Sequence, residues 1–179
     1  SYYDQNSTTL NAKELGGPYR FFHIDGGHNL EEALSDLRLA ADVLSPQGVI
    51  ALDDTFQPGW PGVTEALMRF LDENRHFCAF VVGYNKLLLA RCEHAMIYRN
   101  ELRMEHHRQF YRIGLPWEVK ESAFIGNQLI IFFLPAYLQE HRYIFRLRKF
   151  YRTHDWPKSR VFTPVVAVLR KIVQLRETA

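Results

Sequence analysis

The sequence predicts an open α/β fold, a mostly parallel sheet flanked by helices, followed by a mainly helical, basic extension. Three observations carry that expectation. Between residues 19 and 92, apolar runs of strand length alternate with segments of helical period. Two of those runs end in acidic loops, which is how strands of a parallel sheet commonly open into their connections. Charge also divides along the chain: residues 1–100 hold 8 Lys/Arg against 13 Asp/Glu, and residues 101–179 hold 14 against 7. At 179 residues and 47% hydrophobic, the chain has enough apolar content for one main core and too much for a disordered segment.

The elements follow in order. Tyr19–Asp25 is short and aromatic-rich and runs into "DGGH", so it reads as a buried strand. Asn29 offers a helix N-cap with Glu32 three residues on, and Leu30, Ala33, Leu34, Leu37, Ala41 and Leu44 recur at helical spacing. "SPQG" is expected to stop that helix, and "VIALDD" then forms a second strand ending in carboxylates. The loop "TFQPGWPG" is neither helix nor strand. Val63, Ala66, Leu67, Phe70 and Leu71 mark a second amphipathic helix that finishes near Asn74. "FCAFVVGYNKLLLARC" splits at "GYNK" into strand, turn and strand, a hairpin expected to end the sheet. Beyond Cys92 the character changes: 93–112 reads as helical, "SAFIGNQLIIFFLP" as a strand or buried segment, and the rest as basic amphipathic helices. The natural cut gives a catalytic-type unit at 1–95 and an extension at 96–179.

The two acidic strand ends draw attention because ligands of open α/β sheets gather beyond the carboxyl ends of the strands. Asp25, Asp53 and Asp54 are expected to project into one crevice. A carboxylate at the end of a buried strand is costly unless compensated. A divalent cation would relieve the repulsion among three of them, and all-oxygen ligation suits Mg²⁺, Ca²⁺ or Mn²⁺. His28 is a candidate acid–base group, set against an ordinary first-turn histidine. His23, on the same strand face as Asp25, reads as a packed side chain. Cys78 and Cys92 match no metal or redox spacing, so a reduced, cytoplasmic setting is the expectation. The longest apolar run, "LIIFFLPAYL", is shorter than a spanning helix requires and is broken by Pro135.

The stretch "FFHIDGGHNLEEALSDLRLAADVLSPQGVIALDDTFQPGWPGVTEAL" resembles the second half of a class I S-adenosylmethionine-dependent methyltransferase. More narrowly, it resembles the bacterial cation-dependent O-methyltransferases, over about residues 4–92. The resemblance implies a Rossmann-like sheet, S-adenosylmethionine as methyl donor and Mg²⁺ or another divalent cation held by Asp25, Asp53 and Asp54. It places His28 where relatives carry a lysine base. It also implies a cofactor contact by Asp25 and by Asn6 and Ser7 of "NST", and a substrate wall at Trp60. The acceptor implied is a small-molecule hydroxyl, on a sugar or natural product, and not nucleic acid. The glycine-rich loop of the family's first half has no counterpart here, so the chain is expected to start midway through the catalytic domain, to bind cofactor poorly alone and to leave its first strand unpaired on one side.

Two other readings stand beside this one. In the first, the fold and His28 do the chemistry without a metal. In the second, the chain is a non-catalytic docking module working through the basic C-terminal region. There, Phe145, Phe150 and Tyr151 interleave with Arg142, Arg146, Arg148, Lys149 and Arg152. That pattern suits a half-buried helix, a peripheral membrane contact or self-association.

Overall fold

A computed structural model describes residues 6–83, 85–112 and 118–133, apart from the side chains of 104–112 and 118. It contains a six-stranded sheet in the order β1-β2-β4-β3-β6-β5, so the fold is α/β and Rossmann-like as expected. A 3-10 turn at Ser7–Thr9 and a short helix α1 at Ala12–Leu15 precede the sheet. β1 (Tyr19–Ile24) leads through the "DGGH" loop to α2 (Leu30–Val43). The Asn29 side chain accepts the Glu32 backbone N–H at 2.9 Å, so the predicted cap is the one that starts the helix.

β2 (Leu44–Leu52) begins directly after α2, earlier than the sequence suggests. The register explains the difference: Tyr19 pairs with Leu44 and Phe21 with Val49. One residue of β1 thus faces the four residues of "SPQG", which bulge from the ladder instead of forming a separate turn. α3 (Pro61–Glu73) opens with proline at its first position and closes at Asn74, whose N–H donates to the Phe70 carbonyl at 2.8 Å.

β3 (Phe77–Gly83) and β4 (Lys86–Arg91) form the expected hairpin, but it does not end the sheet. β4 folds back between β2 and β3, antiparallel to both, so the sheet is mixed and not mostly parallel as the sequence suggests. β3 then pairs in parallel with β6 (Asn127–Phe133), which neighbours β5 (Glu118–Phe124). The sheet therefore continues past the expected cut at 95/96, and the segment 96–133 holds two strands as well as helix α4 (Cys92–Arg112). The hairpin of β5 and β6 is legible in retrospect: Ile125 and Gly126 both take positive φ, the pattern of a two-residue hairpin turn. The basic segments at 136–152 and 163–177 lie outside the described residues.

The core has two faces. Ile24, Ile50, Leu52, Leu87 and Leu89 of the strands pack with Leu37 and Ala40 of α2 and Leu67 and Phe70 of α3, all buried. On the other face Phe80, Ala90 and Ile130 pack with Ala95 of α4, with Tyr98 and Leu102 partly buried against them. Burying this apolar surface is the main stabilising term. β1 is an edge strand among the described residues, and its Phe21 is 60% exposed.

Cys78 and Cys92 are joined as a disulfide, with Cα atoms 4.8 Å apart. The sequence reading, which expected reduced thiols from their spacing, is corrected here by the register. Phe77 pairs with Arg91 and the Cys92 N–H donates to the His76 carbonyl, which brings the two cysteines together across the hairpin. No helix among the described residues is long and apolar enough to cross a membrane.

Candidate functional site

The carboxyl ends of β1 and β2 lie side by side. Ile24 pairs with Leu52, and the Asp53 N–H donates to the Ile24 carbonyl at 2.9 Å. β4 lies on the other side of β2 with Leu87 opposite Leu52. Moving one residue outward along each strand places Asp25, Asp53 and Lys86 in a row across three strands. By strand alternation this row points away from the buried face of Ile24, Leu52 and Leu87.

In that row Lys86 Nζ donates to Asp53 Oδ2 and lies 3.4 Å from His23 Nε2. His23 Nε2 is in turn 3.9 Å from the same carboxylate. Burial alone would push the Asp53 carboxyl up. The Lys86 hydrogen bond, the Asp54 backbone N–H and the charges of Lys86 and His23 outweigh burial and hold it below the usual carboxylate range. Asp25 is exposed. The expectation that it is a buried charge in need of compensation is therefore corrected: water reaches it. His23 is exposed too, rather than packed.

Asp54 belongs to a second cluster. Its φ of 54° is left-handed, a conformation that aspartate tolerates better than most residues. Turned this way, its Oδ2 meets His28 Nε2 at 2.9 Å and its Oδ1 accepts from Asn85 Nδ2 at 2.6 Å. A carboxylate only accepts, so His28 Nε2 donates in this bond, and in the neutral imidazole the lone pair is left on Nδ1. The His28 ring stacks on Trp60 with centroids 4.4 Å apart and planes 28° from parallel. Gly62 permits this contact. A Cβ at that position would lie 2.8 Å from Leu30 N and 3.1 Å from His28 O, so only glycine lets the first turn of α3 sit against the His28 loop. Trp60 is 47% exposed and forms a wall beside His28.

The residues expected to touch the cofactor are divided. Asn6 caps the 3-10 turn, accepting from Thr8 N at 3.0 Å, and the Ser7 hydroxyl hydrogen-bonds Asp36 of α2. Asp36 is buried, and its Oδ1 has no partner among the described residues. A Cβ on Gly26, just after Asp25, would come within 3.0 Å of Asp36 Oδ2. The loop after β1 thus packs its bare backbone closely against the Asp36 carboxylate.

The expected three-carboxylate cation cage is not what the structure assembles. Among the described residues, potential metal donors within 4.8 Å of one another form two groups, His23–Asp25–Asp53 and Asp25–His28–Asp54. They share Asp25 but separate Asp53 from Asp54, and each contains a histidine. Lys86 already engages Asp53, and His28 and Asn85 take both oxygens of Asp54. An oxygen-seeking cation such as Mg²⁺ does not fit this donor set well.

Lys86 and Asn85 went unseen in the sequence. Each lies more than thirty residues from its aspartate, and only the insertion of β4 beside β2 brings them together. The signal available was the "GYNK" turn itself, since polar residues at a hairpin mouth face whatever the neighbouring strand presents there.

Residues 3–55 match the family model of a methyltransferase domain, a segment that contains β1, α2, β2 and all three aspartates. That match supports a methyltransferase. No curated protein and no solved structure gave a significant match.

Proposed function

We propose that this chain carries the acceptor side of an S-adenosylmethionine-dependent O-methyltransferase that acts on a hydroxyl of a sugar or small natural product. The observation that supports this most is the His28–Asp54 pair at 2.9 Å, set at the strand ends of the segment that matches a methyltransferase domain. S-adenosylmethionine, when bound, supplies an electrophilic methyl group. Asp25 at the end of β1 would contact it, with the Asn6–Ser7 turn as a further contact.

The chain's own residues then act on the acceptor. Asp54 fixes the His28 tautomer and leaves Nδ1 as the base. The acceptor proton would pass to Nδ1 as its oxygen takes the methyl group and the sulfur–methyl bond breaks to leave a neutral thioether, and the resulting imidazolium would face the Asp54 carboxylate, which lowers the cost of the new charge. Trp60 holds the ring in place and walls the acceptor against it.

The test is methyl transfer by the full-length gene product to a panel of hydroxyl acceptors. His28→Gln is expected to lower kcat by on the order of 10²–10⁴. Asp54→Asn, which suits the left-handed backbone, should lower kcat with KM nearly unchanged, because an asparagine amide can donate to Nε2 and enforce the wrong tautomer. Undiminished turnover in His28→Gln would refute the assignment of the base.

A further inference from the structure

We infer that Lys86 is the resident cation of this site, an ammonium that stands against Asp53 where a divalent metal ion would otherwise be needed. The placement comes from the register. With Leu87 opposite Leu52, the next residues outward are Lys86 and Asp53, so the pair is fixed by the strands and not by a chance surface contact. Asp53 retains only 10% side-chain exposure, so a partner matters to it, whereas Lys86 remains 39% exposed and keeps part of its hydration.

The ammonium also lies 3.4 Å from His23 Nε2. It therefore contacts two of the three donors of the His23–Asp25–Asp53 group, leaving Asp25 alone to offer an uncommitted carboxylate. A divalent ion entering that group would meet a positive charge at contact distance and would first have to displace it. Repulsion at such separations is large even with substantial screening. The second group gives no better site, because His28 Nε2 and Asn85 Nδ2 already engage both oxygens of Asp54, and an ion binding there would have to displace them. The charge of Asp53 is thus met by the chain itself. Only the consequence, methyl transfer without added metal, rests on the functional reading above; the binding claim does not.

The probe is Mn²⁺ alone, titrated into the 179-residue chain and followed by its electron paramagnetic resonance signal. Wild type is expected to bind weakly, with a Kd of about 1 mM or above. Lys86→Met should raise the affinity at least about tenfold, and Lys86→Met combined with Asp53→Asn should remove the gain. Lys86→Arg keeps the charge and should behave like wild type. Micromolar binding by wild type overturns the inference without need of a variant, and so does a Lys86→Met or Lys86→Gln chain that folds and binds no better than wild type. Loss of methyl transfer with these Mn²⁺ results intact would instead count against the proposed reaction.

Discussion

Replacing Gly62 by alanine tests how the His28 loop is held. The added methyl carbon would sit 2.8 Å from Leu30 N and 3.1 Å from both Asn29 C and His28 O. All three neighbours are backbone atoms, so no side chain can swing away, and either α3 or the loop must move. Overpacking of this kind costs roughly 1–3 kcal/mol, and the better helix propensity of alanine returns up to about 1 kcal/mol. A net loss of about 1–2 kcal/mol, or roughly 5 °C in Tm, is expected for a domain of this size. Gly59→Ala is the control, because a Cβ there meets nothing within 4 Å and its backbone needs no positive φ. That variant should be neutral or slightly stabilised, through its less flexible unfolded chain. Thermal and urea denaturation of the two proteins supply the comparison. Equal stability of Gly62→Ala and Gly59→Ala would refute the close approach, and with it the explanation of the Trp60–His28 stack.

Two further outcomes concern stability. Burial raises the Asp36 carboxyl above its ordinary value despite the Ser7 hydrogen bond, with Glu32 adding to the rise. The native state then holds a proton more tightly than the unfolded chain, so stability falls as pH rises from the ordinary carboxylate pKa to the raised one. Asp36→Asn should lack this fall and be the more stable protein at pH 7, an advantage that closes below about pH 4 in denaturation curves; a constant difference across that range would contradict the assignment. Cys78→Ser, or reduction of wild type, should cost about 2–3 kcal/mol, since the disulfide closes a loop with a sequence separation of 14. Identical urea midpoints with and without a thiol reductant would show that the bond contributes nothing.

Much of the first half was legible because its signals are local. The Asn29 cap, the helical period of α2 and α3, and the acidic strand ends each depend on residues within a few positions of one another. What escaped the sequence depends on strand order. Nothing within "GYNKLLLARC" says that β4 turns back between β2 and β3, and so nothing predicts Lys86 beside Asp53. The bulge of "SPQG" escaped for a related reason: proline and glycine mark an irregularity, but whether the ladder resumes across it is decided by the partner strand. At the site, the structure brings together His28, Asp54 and Trp60, three residues that the sequence singled out. Their grouping was misjudged, because adjacent side chains such as Asp53 and Asp54 point apart, and the left-handed backbone of Asp54 turns it to His28 and Asn85.

The β3–β4 turn answers the end of β2 residue for residue, Asn85 to Asp54 and Lys86 to Asp53. A single hairpin tip therefore sets both the charge balance of one carboxylate and the aim of the other, and through the latter the orientation of an imidazole on a different loop. Such a tip behaves like a two-pronged plug. A one-residue insertion or deletion there withdraws both prongs together, whereas substitutions at 85 and 86 withdraw them singly. Positions 53 and 86, and positions 54 and 85, are thereby coupled in pairs, because each carboxylate depends on the prong that meets it.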